Sequence, residues 1–324
     1  MAKPTSPHLE QLRSLAGQPD EQAHFAVTLL NPRLGAQVIM AALHVLRNDP
    51  PPAARPPLLA LYGHYDQKNS TRDPAANLRA AILRNLRTLV LSEDAPFLAR
   101  AAATYVFPPP AFKEEGAQLR SAALNALAEV DETLARFHAV RLLANEHTDP
   151  MSGEPALTAA RLLAAHHEVT TLYFYVTQDG ARTAPEVLSE CLRHLTSLPE
   201  SMVAGLVERY GASEHEIVLV GLIDLLIHHR SGPQGVDYLA GFLQGATQLD
   251  AYRYLATVML TSGRAALIDL LLTAARNERQ RERAAILVDV LSLLQDTPEV
   301  GPIVAELRRK LAQTQLDRPA ARRT

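Results

Sequence analysis

Leu78-Arg79-Ala80-Ala81-Ile82-Leu83, inside the stretch from Asp73 to Leu89, is a phrase that the chain repeats in altered spellings. It returns as Leu119-Arg120-Ser121-Ala122-Ala123-Leu124, as Leu157-Thr158-Ala159-Ala160-Arg161-Leu162 and as Glu282-Arg283-Ala284-Ala285-Ile286-Leu287. The first residues of the recurring words stand at 78, 119, 157, 188, 218, 252 and 282, which gives spacings of 41, 38, 31, 30, 34 and 30. Two helices and their turns need about that length, and a unit that cannot bury its apolar face alone buries it by stacking on a copy of itself. The expected fold is all-α: a right-handed α-solenoid of about eight antiparallel helix pairs.

Composition agrees with this reading. A chain of 324 residues exceeds the usual size of one compact core, and no flexible Gly/Ser linker divides it, so growth by repetition is the economical solution. Glycine is sparse at 15, tryptophan is absent and aromatics make up 5%, a balance suited to helices packed through alanine and leucine. Residues 1–20 read as an N-terminal segment with one capping helix, 21–315 as the repeat array and 316–324 as a basic disordered tail. Pairs are expected at 21–30 with 33–47, 57–65 with 74–91, 95–106 with 113–129 and 132–144 with 154–166. They continue at 168–178 with 184–196, 200–210 with 214–228, 234–244 with 248–261 and 265–275 with 278–295, and a last helix covers 298–315. Proline runs such as Pro50-Pro51-Pro52 and Pro108-Pro109-Pro110 end helices and stiffen connections. Thr183 with Glu186 and Ser213 with Glu216 have capping-box spacing, while Asp73-Pro74 and Thr297-Pro298 place a capping residue before a proline at the first helical position.

The net charge is −3, with 15 basic and 15 acidic residues in 1–150 and 17 against 20 in 151–324. Neither half carries the basic surplus that grips a nucleic-acid backbone. Only the end is basic, through Arg308, Arg309, Lys310, Arg318, Arg322 and Arg323. A single Cys191 excludes an internal disulfide and a multi-cysteine metal knuckle. The run from Leu34 to Leu46 is 13 residues long, short of the ~18 that a membrane span needs. Residues 1–7 lack the apolar centre of a signal peptide, so the expected location is the cytoplasm.

With Asp73 six positions before Arg79, and Glu114 six before Arg120, the chain resembles the HEAT-repeat family, whose second helices follow an acidic residue and carry an arginine six positions on. Asn277 with Arg283 and Thr247 with Arg253 keep the arginine and lose the acid; the words at 157, 188 and 218 lack the arginine. The resemblance implies arginines that reach the neighbouring repeat, and a surface that binds protein.

The competing class is a HEAT-like enzyme. A metal-dependent hydroxylase-like site needs four His-Glu pairs at equivalent helix starts, and the chain offers His167-Glu168 and His215-Glu216. A DNA-glycosylase-like site needs a basic face with aromatic and acidic residues, against the charge balance above. The doublets His166-His167 and His228-His229 fall in last helical turns, where a ring faces the negative end of the helix dipole. The expected function is therefore a non-catalytic scaffold, with no cofactor, that binds a protein on the concave surface of the second helices. Arg84, Arg87, Asn125 and Arg193 are the expected contact residues. A rival surface is the edge made by the long connections 66–73, 107–112, 145–153 and 179–183, since loops held on a rigid scaffold are frequent recognition sites.

Overall fold

The computed structural model describes residues 6–67, 72–178, 184–294 and 296–316. Among these, the regular elements are helices. α1 (Pro7–Ser14) precedes α2 (Pro19–Thr28) with α3 (Ala36–Leu46), then α4 (Arg55–Asp66) with α5 (Asn77–Leu86), α6 (Ala95–Ala102) with α7 (Ala117–Ala128) and α8 (Glu132–Leu143) with α9 (Ala156–Ala165). There follow α10 (Val169–Thr177) and α11 (Pro185–Arg193), α12 (Glu200–Tyr210) and α13 (Glu216–His228), α14 (Val236–Gly245) and α15 (Leu249–Thr261), α16 (Ala265–Asn277) and α17 (Arg281–Leu291), and α18 (Gly301–Leu316). Each expected helix thus has a counterpart within a few residues. The connection at 179–183 and the tail beyond 316 lie outside the described residues, as does part of 66–73.

The chain divides into two compact units, Met1–Thr171 with Asp179–Val187, and Leu172–Gln178 with Leu188–Thr324. In the first unit the second helices lie side by side in the order α3, α5, α7, α9, and each of α5, α7 and α9 also packs on its own first helix. α7 is the centre: Leu119, Ala122, Ala123, Leu124, Ala126 and Leu127 are buried on several sides at once, because alanine lets neighbouring backbones come close. In the second unit α13, α15 and α17 form the same kind of row, and α14, α16 and α18 pack in succession. α13 buries Val218, Leu219, Leu222, Ile223, Leu225 and Leu226. Gly221 lets this helix approach Ser189, whose carbonyl oxygen lies 2.5 Å from where a Cβ would stand. α18 turns Ile303, Val304 and Leu307 inward and leaves Arg308 and Arg309 exposed.

Helix starts depart from the local rules in an instructive way. α5 begins at Asn77 rather than Pro74, because Asp73 reaches forward: Oδ1 accepts from the Leu78 amide at 3.0 Å and Oδ2 from the Arg79 amide at 3.1 Å. The box expected at Ser213 and Glu216 does not form. Ser213 Oγ accepts from the His215 amide at 3.2 Å, and Glu216 Oε2 instead accepts from the Ala251 amide at 2.9 Å, at the N-terminus of the neighbouring α15. Thr183 lies outside the described residues, and α18 starts three residues after Pro298. Each of these carboxylates meets orphan amides at the positive end of a helix.

The C-terminal ends of α6, α10, α12 and α16 are held by donors from α8, α12, α14 and α18. Arg141 donates to Ala102 O at 3.2 Å, Arg209 to Thr177 O at 3.1 Å, Tyr238 Oη to Gly211 O at 2.9 Å and Lys310 to Arg276 O at 3.3 Å. These carbonyls lack partners within their own helices, so stacking itself satisfies the helix C-termini. Replacing Glu216 by Ala should therefore destabilise the protein by about 1 kcal/mol through the loss of a cap on α15, and Glu216→Gln by less. Chemical denaturation of the two variants checks the order.

Candidate functional site

Three second helices open with the same clamp, an acid that holds both the helix N-terminus and an arginine of the first turn. In α5, Arg79 Nε lies 3.2 Å from Asp73 Oδ2, and a terminal nitrogen lies 3.5 Å from Asp66. Arg79 therefore ties its own pair together and does not reach the next. In α7, Arg120 is fully buried and forked on Glu114 at 2.6 and 2.8 Å, with further bonds to Thr104 O at 3.2 Å and His147 O at 3.4 Å. The second carbonyl belongs to the following pair, so this arginine does bridge. In α17, the acid that the six-residue spacing missed is Glu278, five positions before Arg283 and 2.9 Å from its Nε. Arg283 also donates to Gln244 O at 2.7 Å, at the end of α14. Arg253 has a different job, an exposed pair with Asp289 at 3.2 Å.

The α7 clamp builds a surface. Glu114 Oε1 accepts from the amides of Val106 at 3.1 Å and Gly116 at 2.7 Å, which folds the connection 103–116 around the carboxylate. Arg120 lies beneath the Tyr105 ring, 4.4 Å from its centroid. From the next connection, 144–155, the His147 ring meets Tyr105 and Phe107 edge-on at 5.6 and 5.5 Å. Asn145 Nδ2 donates to Tyr105 Oη at 2.6 Å, and Asn145 Oδ1 accepts from the His147 amide at 2.7 Å. Asp149 holds its own loop by accepting from Ser152 N and Oγ at 3.1 and 2.6 Å. Ser121 Oγ of α7 donates to Glu154 Oε2 at 2.7 Å, anchoring the end of that connection.

Two clefts flank His147. One, of about 440 Å³, is lined by Lys113, Glu115, Gln118, Glu146, His147 and Asp149 among others. The other, of about 590 Å³, lies against Tyr105, Phe107, Arg141, Asn145, Glu146 and His147. Phe107, on the wall of the second cleft, is 45% exposed, and Phe112 and Met151 in the same two connections are 65% and 90% exposed. Phe112 holds φ 48°, a left-handed conformation that a bulky side chain adopts only under constraint. Neither His147 nor Tyr105 was marked by the sequence; the signal available there was the length of the two connections.

The residues expected to contact a partner are placed as follows. Arg84 bonds to Gln118 of α7, and Arg87 Nε lies 2.8 Å from Glu129 Oε1, so both reach across from α5 to its neighbour. Asn125 is half-buried on α7. Arg193 belongs to the second unit and lies 3.4 Å from Asp224, which also accepts from Tyr254 Oη. Burial and then the bond to Asp224 push the Tyr254 phenol up to about 12.

Of the doublet histidines, His166, His228 and His229 have side-chain partners. His166 lies 3.2 Å from Glu132, and His167 takes the left-handed position after α9 with φ 56°. His228 Nδ1 lies 3.0 Å from Asp224 O. His229 is buried, with Nε2 2.7 Å from Leu198 O and Nδ1 accepting from Ser231 N at 3.3 Å, which puts its proton on Nε2. Among the described residues no three His, Cys, Asp or Glu side chains are grouped to hold a metal, and no helix is long and apolar enough to cross a membrane. Cys191 is buried, and burial pushes its thiol far above the ordinary value. Compared with known proteins, the chain matches no family model and no curated protein.

Burial alone would raise Glu114, but the Arg120 hydrogen bonds, the Val106 and Gly116 amides and the Arg120 charge outweigh it and hold the carboxyl below its ordinary 4.5. A lowered folded-state pKa means stability that is fully present above the unfolded value and lost as pH falls through the folded one. Unfolding free energies measured from about pH 6 down to about pH 3 should fall below about pH 4.5 in the native chain. Glu114→Gln should start lower and show a flatter acid slope.

Proposed function

We propose that the chain is a right-handed α-solenoid of HEAT-like helix pairs that works as a non-catalytic, protein-binding scaffold of the cytoplasm. Recognition falls on the edge made by the connections 103–116 and 144–155. The observation that carries the reading is the Arg120 clamp, which fixes two successive long connections into one surface and leaves Phe107, Phe112 and Met151 in solvent. Exposed apolar side chains on a pre-ordered loop surface are what a partner can bury at low entropic cost.

The second-helix face supports recognition less well. Arg84 and Arg87 are already bonded to Gln118 and Glu129, and Arg193 to Asp224, so a partner would have to compete with those contacts. Their geometry suits rows of helices held in register. The enzyme alternative has less behind it: His167-Glu168 stands before α10 and His215-Glu216 at the start of α13, which are not equivalent places in successive pairs, and the Glu216 carboxylate is engaged at the Ala251 amide.

A photo-crosslinking phenylalanine analogue placed at Phe107, Phe112, Arg87 or Asn125, with illumination in the native cell, tests the assignment. Discrete protein adducts from the two phenylalanine positions and none from Arg87 or Asn125 are expected. Adducts from the latter pair alone would move recognition to the second-helix face.

A further inference from the structure

The two clefts beside His147 differ in chemistry and share a wall. In the smaller, Glu115, Glu146 and Asp149 face one cation, Lys113, while Glu114 is neutralised by Arg120. Glu115 and Glu146 are exposed, and neither is tied into the helix caps that occupy Glu114 and Glu154. The larger cleft presents the rings of Tyr105 and Phe107. Glu146 and His147 line both, so a ligand can occupy the two at once. A carboxylate-rich hollow attracts cations, and an aromatic wall beside it favours a guanidinium, an ammonium stem or an apolar neighbour.

We infer that this edge takes a short basic segment of a partner protein: an arginine or lysine between Glu115, Glu146 and Asp149, and an adjacent apolar or aromatic residue against Phe107. The inference rests on the scaffold reading above and adds the chemistry of the partner. Charge complementarity selects a peptide here. In the smaller cleft an anionic partner would meet three carboxylates against Lys113, and a segment without a cation would leave that cleft unused; Arg141, the cation of the larger cleft, is held by Ala102 O. The fit requires little rearrangement, because Arg120, Asn145 and Asp149 already order both loops.

A random heptapeptide library displayed on phage, panned against the full chain, supplies the test. The expected result is enrichment of sequences with Arg or Lys next to an apolar or aromatic residue. A synthetic peptide of that sequence should bind about tenfold more weakly to the Glu115→Gln/Glu146→Gln variant. Its affinity should also fall as salt rises. Phe107→Ala should weaken it as well, with circular dichroism unchanged in both variants. Enrichment of acidic or uncharged peptides that still depend on Phe107 would overturn the inference while leaving a loop-edge scaffold in place. Selected peptides that bind the Phe107→Ala and Glu115→Gln/Glu146→Gln variants undiminished would overturn it too, and would remove the loop edge from the scaffold reading.

Discussion

The buried guanidinium of Arg120 is the constraint on which the candidate surface depends. A fully desolvated charge costs several kcal/mol unless it is paired and its donors are satisfied. Here the partners come from three places in sequence: Glu114 before the helix, Thr104 at the end of the preceding one and His147 in the next connection. Tyr105 covers the remaining face. Glu114 balances the charge, and moving either carbonyl away would leave a buried N–H of Arg120 without that acceptor, so the two connections are tied to each other through one side chain. The proline-rich composition of 107–112 narrows the backbone's choices further.

The same logic, repeated with variations, holds the helices together. Second helices receive carboxylates at their N-termini, from Asp73, Glu114, Glu154, Glu216 and Glu278. First helices pass their C-terminal carbonyls to donors of a following element. Both devices place side chains where helix ends carry unpaired groups and partial charge. Stacking then satisfies polar groups as well as burying leucine and alanine. A helix removed from the row would lose its caps with its packing.

Much of the fold was legible because it rests on period. Apolar residues at helical spacing and proline between them located the helices within a few residues. What the sequence hid were partners supplied from far along the chain. Glu216 satisfies Spacing to its own Ser213, yet its carboxylate serves Ala251, and no local rule sees a contact 35 positions away. Glu278 escaped because the acid sits one position off the six-residue spacing, which the side chain accommodates by its length. Arg84 and Arg87 read as free contact residues because Gln118 and Glu129 lie on another helix. The long connections were visible as lengths, but their joining through Tyr105, Phe107 and His147 depends on the register between successive pairs.

Amide hydrogen exchange on the Arg120→Met variant measures most directly whether this one side chain builds the surface. If it does, the amides of 103–116 and those of 144–155 lose protection together, while α13 and α15 keep theirs. Loss confined to one connection, or unchanged protection in both, would contradict the account.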